Sequence, residues 1–212
     1  MDGSFEGASA PPRADEGYWH RAADRLVATL AALDAGASAP AVGDVFPDLA
    51  LPDARGRLVG LASLLDRGPV VLSFHRGLWC PWCVGEIESW RGARPALDAA
   101  GARLVAVTPE LGGRAADMAA LLGPAGQVLC DVDFGATLSL GLGFFVGADL
   151  IARYQAAGMD LDALYGAASG ILPIPATFVI GRDRIVRFAH VDRDFRHRAD
   201  PADVLSSIAG RG

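Results

Sequence analysis

Cysteine is scarce in this sequence, with three residues among 212. Disulfide-stabilised secreted domains carry a far higher proportion, so the chain is not a disulfide scaffold. A structural zinc site needs four ligands, but no second Cys-x-x-Cys pair exists, and His190 and His197 are poorly spaced to complete one. We therefore expect no bound metal and no organic cofactor.

Segments that direct a chain to or through a membrane are also lacking. Residues 1–17 contain acids, glycine and proline but not the apolar run of a signal peptide. No window holds the roughly 18 consecutive apolar residues that span a bilayer. These absences predict a cytoplasmic protein without a membrane partner.

The sequence has no excess of positive charge, since its formal net charge is −6 and its pI is about 5.1. Such a surface repels phosphate backbones, so nucleic acid is not an expected partner. Arginine is concentrated only near the end of the chain, where it alternates with aspartate: Arg193, Arg196 and Arg198 stand among Asp192, Asp194 and Asp200. This alternation predicts a solvated surface segment.

What the sequence does contain is the composition of a globular protein, with 51% hydrophobic and 21% charged residues. Its length suits one domain of ordinary to large size. We expect a disordered tail over residues 1–17, an N-terminal helix with a linker over 18–41, and the main domain over 42–212.

The N-terminal helix is predicted over residues 18–35, with Asp15 as its cap and Gly36 at its end. Its apolar residues recur at steps of three and four, which places them on one face. These residues are Trp19, Ala22, Leu26, Leu30 and Leu33.

Alternating strand and helix patterns organise the rest of the chain. Apolar strands at 70–74 and 103–107 flank a helix over 81–100, which predicts a βαβ unit with parallel strands. A turn at 53–56 predicts a β-hairpin before this unit, and residues 181–183 join an antiparallel pair after it. The remaining predictions are a helical turn at 61–65, helices at 112–122, 134–140, 147–157 and 201–208, strands at 127–129, 176–180 and 184–189, and an irregular segment at 158–170.

The most informative segment is VVLSFHRGLWCPWCVGEIESW, in which a buried strand leads through a short loop to Cys80 and to the helix of Cys83. A thiol at a helix N-terminus faces unpaired N–H groups and the positive end of the helix dipole, and both lower its pKa. The two-residue spacing lets the sulfurs meet and close a disulfide. The pair therefore predicts a thiol–disulfide redox site, against the alternatives of two structural cysteines and half of a zinc site.

Residues around the pair are candidates for the same site. Trp79, directly before it, is expected to shape the active-site surface, whereas Trp82 is expected to pack in the core. His75 and Arg76 lie in the loop that enters the site. Arg76 either stabilises a thiolate or is simply exposed, and both alternatives stay open. Cys130, at a strand end, is expected to be unpaired.

From about residue 42 to 208 the chain resembles the peroxiredoxin-like AhpC/TSA (redoxin) family of the thioredoxin-fold superfamily, in its CxxC-containing branch. Three segments carry the resemblance: GDVFPDLALPDARG, VLSFHRGLWCPWC and ILPIPATFVIGRDRIV. It implies an α/β, thioredoxin-like fold with a mixed central sheet flanked by helices, a peroxiredoxin-type N-terminal hairpin and, in this chain, an extra N-terminal helix. It also implies a cis peptide bond between Ile174 and Pro175.

Around the cysteines, the sequence resembles both the peroxiredoxin pattern and the thioredoxin pattern. The peroxiredoxin pattern Pro-x-x-x-Thr-x-x-Cys makes Cys83 the attacking cysteine and Glu86 its acidic partner. Cys80 then stands at the threonine position and Arg76 at the proline position, while the family's later arginine falls on Pro175. The thioredoxin pattern Trp-Cys-x-x-Cys instead makes Cys80 the nucleophile. The resemblance thus implies catalytic roles for Cys80 and Cys83 and supporting roles for Trp79, Arg76, Glu86, Pro175 and Thr177.

This mixture predicts one function and leaves an alternative. The first is a thiol peroxidase that reduces a hydroperoxide, forms a disulfide between its two cysteines and is recycled by thioredoxin or a similar dithiol. The alternative is a thioredoxin-like protein disulfide reductase. A redox-sensing domain without catalysis is a third class, which the intact CxxC disfavours. Relatives with this fold often form homodimers, and the oligomeric state of this chain stays open. The 147–170 region is expected to cap part of the site.

Overall fold

The computed structural model describes residues 16–124, 126–166 and 170–209. The helices are α1 (Glu16–Ala32), α2 (Leu61–Leu65), α3 (Pro81–Ala99), α4 (Gly112–Leu122), α5 (Gly135–Ser139), α6 (Ala148–Ala156), α7 (Leu161–Tyr165) and α8 (Pro201–Ala209). The strands are β1 (Ala50–Pro52), β2 (Leu58–Gly60), β3 (Val70–Phe74), β4 (Arg103–Thr108), β5 (Gln127–Cys130), β6 (Gly143–Phe145), β7 (Ile171–Pro173), β8 (Ala176–Ile180) and β9 (Val186–Val191). The predicted tail over 1–17 lies outside the described residues, except for its last two, which begin α1.

Five strands form a mixed central sheet in the order β5-β4-β3-β8-β9. β4 is parallel to both β3 and β5, whereas β8 is antiparallel to both β3 and β9. Every residue of β3 and β8 is buried, because both faces of the sheet are covered. The predicted α/β class, the mixed sheet, the βαβ unit and the final antiparallel pair are all confirmed.

The pleat of the strands sends alternate side chains to hydrophobic clusters on the two faces of the sheet. Leu72 and Phe74 of β3 join the cluster that also packs α1, and Val71 joins the cluster that packs α3. The side chain of Ser73 lies on the same face of the sheet as that of Val71. Ser73 pairs with Thr177 of β8 in the strand register. Two hydroxyl groups thus lie on the sheet beneath the first turns of α3.

Two short antiparallel ribbons lie beside the central sheet. β1 and β2 form the predicted hairpin around the turn at 53–56. β6 and β7 form a second ribbon that the sequence pattern does not predict, because three-residue strands are too short to display an alternation.

A helix within the 158–170 segment shows that the prediction of an irregular segment is wrong there. The side chain of Asp160 accepts hydrogen bonds from the N–H groups of Asp162 and Ala163 and begins α7, and Gly166, with a φ of 69°, ends it.

The N-terminal helix α1 packs its predicted apolar face on the domain. Ala22, Leu26 and Leu30 are buried, but Leu33 is 71% exposed because it follows the last residue of the helix.

None of the described helices is both long enough and apolar enough to cross a bilayer.

The arginine–aspartate segment after β9 lies at the surface over most of its length, as its alternation predicts, and Arg198 is the exception. Arg196 pairs with Asp24 of α1 at 2.8 Å, and Arg193 pairs with Asp34 in the turn that follows α1. These pairs are solvent-exposed and lie between α1 and this segment, whereas Arg198 enters the site described below. At Arg198 the prediction is wrong, because a charge pattern does not reveal which neighbours the fold will supply.

The peptide bond between Ile174 and Pro175 is trans, as are the other peptide bonds of the described ranges, so the expectation of a cis bond is wrong. The N–H of Ile174 donates to the carbonyl of Leu142 and so extends the pairing of β6 with β7. The chain then passes directly into β8, and trans is the lower-energy isomer of an X–Pro bond.

Candidate active site

The cysteine pair lies where the chain leaves β3 and starts α3. Cys80 is the N-cap residue, with extended backbone angles, and Pro81 occupies the first helical position. Cys83 lies in the first turn, where its N–H donates to the carbonyl of Cys80 at 3.0 Å. Both are free thiols, and their exposed fractions are 2% for Cys80 and 0% for Cys83.

The two thiols share a hydrogen bond and titrate in opposite directions. Burial is the largest single influence on Cys83 and on its own would raise its pKa, and the hydrogen bond from Cys80 acts against it. The positive charge of Arg198 and the contact with His75 act in the same direction and hold the pKa of Cys83 well below its ordinary value. The shared hydrogen bond, followed by burial, raises the pKa of Cys80 well above its ordinary value. These opposite directions favour the thiolate on Cys83, with Cys80 as the thiol that keeps its proton.

A largely buried guanidinium, with 11% of its side chain exposed, lies beside the Cys83 sulfur. Nη2 of Arg198 donates to Sγ of Cys83 at 3.4 Å, and Nη1 donates to Oε2 of Glu86 at 2.6 Å. Burial disfavours the charged form of Arg198, yet the negative charges of Cys83 and Glu86 outweigh it and raise the pKa of Arg198. The guanidinium therefore joins the thiolate to a carboxylate.

Glu86 is held by donors from the sheet and from its own helix. Its Oε1 accepts hydrogen bonds from the hydroxyls of Ser73 at 3.2 Å and Thr177 at 3.3 Å. Nε1 of Trp90 donates to the same oxygen at 3.4 Å. These contacts fix the carboxylate, and the fixed carboxylate positions Arg198.

Sequence reasoning missed Arg198, which lies 115 residues from Cys83 along the chain. Its alternation with aspartate is typical of a solvated segment. One signal could have pointed to it: the family's later arginine falls on Pro175, so the thiolate needs a cation from elsewhere in the chain.

Arg76 is 1% exposed, so the alternative that it is simply exposed is wrong. Its guanidinium carbon lies 3.9 Å from the ring centroid of Phe195. Its carbonyl accepts hydrogen bonds from Nε1 of Trp79 at 3.2 Å and from the hydroxyl of Tyr165 at 2.7 Å. Trp79 thus holds the loop that carries Arg76, together with a tyrosine of α7.

Trp82 is 40% exposed, so the prediction that it packs in the core is wrong. It is the second residue of α3 and lies away from the sheet, where its ring packs edge-on against Phe195 at 5.1 Å.

Pro175 is buried directly before β8. Cys130 is buried and unpaired, as expected.

Glu110, which lies two residues after the end of β4, binds the loop between β3 and the cysteines. Oε2 of Glu110 accepts a hydrogen bond from the N–H of Leu78 at 2.8 Å, and Oε1 accepts one from Arg114 at 2.6 Å. Burial raises the pKa of Glu110. Gly77, with a φ of +134°, passes so close that a Cβ there would lie 2.4 Å from Cδ of Glu110.

Cys80 also lines a cavity of about 150 Å³ beneath α1. Leu150 and Tyr154 of α6 and Met159 line it too, so the 147–170 region does border the site.

Within the described ranges, no three His, Cys, Asp or Glu side chains lie close enough together to hold a metal ion.

Residues 42–189 match the sequence model of the AhpC/TSA family. No curated protein sequence matches the chain.

Three solved structures illustrate what the fold is similar to. Peroxidoxin BcpB from Mycobacterium tuberculosis is 23% identical over 82% of this chain and 99% of its own, with a TM-score of 0.63. A mutant of peroxiredoxin 6 from Arenicola marina is 18% identical over 79% of this chain and 71% of its own, with a TM-score of 0.60. A thiol peroxidase from Chromobacterium violaceum is 17% identical over 79% of this chain and 85% of its own, with a TM-score of 0.58. These likenesses confirm the predicted thioredoxin-like, peroxiredoxin-type fold.

Proposed function

The chain belongs to the AhpC/TSA family, and from that premise we propose that it is a thiol-dependent peroxidase in which Cys80 and Cys83 cycle between dithiol and disulfide. The observation that carries the proposal is the surroundings of Cys83. Its sulfur accepts a hydrogen bond from Arg198 at 3.4 Å and lies at the N-terminus of α3. A thiolate, rather than a thiol, is the nucleophile that attacks a peroxide.

The first step forms a bond between the Cys83 sulfur and one peroxide oxygen while the O–O bond breaks. The sulfur is oxidised to sulfenic acid, and the peroxide is reduced to an alkoxide, which takes the S–H proton of Cys80 and leaves as an alcohol. The Cys80 thiolate then attacks the Cys83 sulfur and expels hydroxide, which closes the disulfide. An external dithiol of the thioredoxin type returns two electrons and two protons by exchange.

Access to Cys83 requires a movement of Cys80. Cys83 has no exposed surface, whereas Cys80 lines the cavity beside it. A peroxide in the cavity therefore meets Cys80 first, and it reaches the thiolate when the Cys80 side chain rotates aside.

The alternative of disulfide exchange with a protein partner has less support. It needs Cys80 as an accessible thiolate. The hydrogen bond to Cys83 raises the pKa of Cys80, and the side chain is 2% exposed beneath α1.

The test is stopped-flow peroxide reduction by the reduced full-length chain, combined with trapping of sulfenic acid by dimedone and mass spectrometry. We expect the Cys80→Ser variant to form the dimedone adduct on Cys83 and the Cys83→Ser variant to form none. Wild type should yield one Cys80–Cys83 disulfide for each peroxide consumed and should turn over with a thioredoxin system. Cys130→Ser is the matched control and should behave as wild type.

Two outcomes would refute the proposal. One is a peroxide rate for wild type no greater than that of free cysteine. The other is oxidation of wild type without a bond between the two cysteines.

A further inference from the structure

Arg76 is a buried cation with an unused hydrogen-bond donor. Its Nη2 is buried and has no hydrogen-bond partner among the residues that the structure describes. Its Nε makes only a long hydrogen bond, at 3.4 Å, to the carbonyl of Pro173. A buried guanidinium with so few acceptors is unfavourable, because burial removes the water that would otherwise solvate its charge. The unused donor therefore points to a negative charge that the reduced protein lacks and that forms during the reaction cycle.

The guanidinium of Arg76 is held between aromatic rings and borders the same cavity as Cys80. Its central carbon lies 3.9 Å from the ring centroid of Phe195 and 5.5 Å from that of Phe144. Cation–π contacts of this kind favour a charged guanidinium in a fixed place. Both Arg76 and Cys80 line the cavity beneath α1. The fixed cation is therefore close enough to act on a charge at the Cys80 sulfur.

The acids near the cysteine pair are already bound to other arginines. Glu86 pairs with Arg198 at 2.6 Å, and Glu110 pairs with Arg114 at 2.6 Å. Within the described ranges, neither acid forms an ion pair with Arg76. The negative charge that Arg76 can stabilise is therefore not a resting carboxylate of the site.

The other charged or titratable side chains of the cavity are paired, neutral or exposed to solvent. They are His20, Tyr154 and Arg196. Arg196 pairs with Asp24 at 2.8 Å and with Asp194 at 2.7 Å. Burial raises the pKa of Tyr154, so its hydroxyl stays neutral. His20 is exposed on α1, where water and salt screen a charge. Arg76 thus remains as the buried cation that can serve the cavity.

The surroundings of Cys80 change when Cys83 is oxidised. In the reduced protein the hydrogen bond with Cys83, burial and the negative charge of Cys83 raise the pKa of Cys80, in that order. The charge of Arg76 is the strongest of the influences that lower it, ahead of that of Arg198. A sulfenic acid on Cys83 carries no thiolate charge, so two of the three opposing influences then disappear. Burial alone is left to oppose Arg76.

We infer, on the basis of the peroxidase function proposed above, that the two cysteines use separate arginines: Arg198 serves Cys83 in the first step, and Arg76 stabilises the Cys80 thiolate while the disulfide closes. In this second step the Cys80 sulfur bonds to the Cys83 sulfur, the S–O bond of the sulfenic acid breaks, and hydroxide leaves. The Cys80 sulfur is oxidised and the Cys83 sulfur is reduced by the same electron pair. The proton of Cys80 has already gone to the alkoxide of the first step. Arg76 is therefore a positioning residue of disulfide closure.

The ionisation of Cys80 is tested directly in the full-length chain with Cys83→Ser and Cys130→Ser, where Cys80 is the sole thiol. The ultraviolet absorbance of the thiolate is followed across pH, and a chain without cysteine is the blank, because tyrosines also absorb as they ionise. We expect Arg76→Met to raise the midpoint of Cys80 by about 1 pH unit or more. Arg76→Lys, which keeps the charge, should recover part of the shift.

Arg187→Met is the matched control for this titration, because Arg187 pairs with Asp183 at the surface and is not part of the cavity lining. Its midpoint should equal that of the background. Circular dichroism checks that each variant is folded. Arg76→Gln, which is neutral but retains a polar side chain, gives the same comparison if Arg76→Met does not fold.

Kinetics in chains that keep both Cys80 and Cys83 separate the two steps. After one equivalent of peroxide, dimedone competes with Cys80 for the sulfenic acid on Cys83. We expect Arg76→Met to slow closure about tenfold at pH values below the Cys80 midpoint, so that dimedone traps a larger fraction. Arg198→Met should chiefly slow the formation of the sulfenic acid. The ratio of the closure rate to the formation rate should therefore fall in Arg76→Met and rise in Arg198→Met.

The inference is overturned if Arg76→Met, or Arg76→Gln in its place, leaves the Cys80 midpoint at the background value. It is also overturned if closure and sulfenic acid formation slow by the same factor, which is the result expected from a merely structural role. A shifted midpoint in a protein that reduces no peroxide would support the pairing of Arg76 with Cys80 while refuting the peroxidase function. The two failures are therefore distinguishable.

Discussion

Arg198 is the residue on which the ionisation of Cys83 depends most directly among the charged groups. It donates to the Cys83 sulfur and is anchored by Glu86, whose other oxygen is held by hydroxyls of β3 and β8. Removal of the guanidinium would leave a buried thiolate beside a buried carboxylate without a positive charge, and the sulfur would then favour its protonated form.

We therefore predict that Arg198→Met raises the pKa of Cys83. A charge-assisted hydrogen bond contributes about 1.5–3 kcal/mol, so the midpoint of the pH–rate profile should move up by about 1–2 pH units. Peroxide reduction should slow by about 10- to 100-fold at pH values below the wild-type midpoint, and by less at neutral pH. Stopped-flow rates measured across pH give both quantities.

Arg187→Met is the control, because Arg187 belongs to a surface pair with Asp183. Its profile should match that of wild type, and Arg198→Lys should recover part of the rate. An unshifted midpoint in Arg198→Met would show that this charge does not set the ionisation of Cys83.

Single residues of the site differ in how far the sequence could predict them. Cys80 caps the helix that contains Cys83 and Glu86, so their spacing already places them together. Arg198 reaches them through tertiary folding from the far end of the chain, and no local pattern encodes that approach. Trp82 was assigned wrongly for a related reason, since hydrophobicity alone does not tell which side of a helix faces the sheet.

The loop between β3 and α3 is the element that presents the cysteines, and Gly77 fixes its path. Its φ of +134° is unfavourable for residues with a side chain, and a Cβ would lie 2.4 Å from Cδ of Glu110. The same Glu110 accepts the N–H of Leu78, so any displacement also removes this hydrogen bond.

We predict that Gly77→Ala lowers the free energy of unfolding by about 1–3 kcal/mol, the range for a strained backbone conformation. Urea unfolding measures the change, and the peroxide rate should fall with it because Cys80 shifts. Gly92→Ala in α3 is the matched control, since no described side chain and no described backbone from outside its own stretch of helix lies within 4 Å of its Cβ position. It should raise stability by about 0.5–1 kcal/mol. Equal stability of Gly77→Ala and wild type would contradict the role of this loop.

Whole elements were predicted most reliably where long patterns repeat. β3, α3 and β4 follow one another with apolar strands and an amphipathic helix, and their order and parallel pairing could be read directly. β6, β7 and α7 have three to five residues each, and pairing partners or a capping side chain decide their conformation. The trans bond before Pro175 likewise follows from the path between β7 and β8, which the sequence does not display.

At the scale of the whole molecule, the helix α1 and the segment after β9 meet beside the active site. α1 and the segment after β9 are ion-paired through Arg196 with Asp24 and through Arg193 with Asp34. The same segment supplies Arg198 to the cysteines. The ionisation of the site and the stability of the entire fold should therefore be linked, and the link can be measured as a dependence of stability on pH.

The sign of this dependence follows from the two thiols. The pKa of Cys83 is lower in the folded protein than in the unfolded chain, where it is about 8.5. Between these two values the unfolded state binds more protons, so stability rises with pH, by up to about 1.4 kcal/mol per pH unit. This contribution is complete above the unfolded pKa and is lost as pH falls through the folded pKa. The raised pKa of Cys80 acts oppositely, but only above the unfolded pKa.

We predict that the difference in unfolding free energy between wild type and Cys83→Ser, both kept reduced, grows as pH increases from about 6 to 8. Urea unfolding at several pH values measures it. Cys130→Ser is the matched control, because burial raises the pKa of Cys130 and its contribution changes only above the unfolded thiol pKa. Its difference from wild type should stay constant over this window. A constant difference for Cys83→Ser as well would mean that Cys83 is protonated in the folded protein, and that Arg198 and the hydrogen bond from Cys80 do not hold a thiolate there.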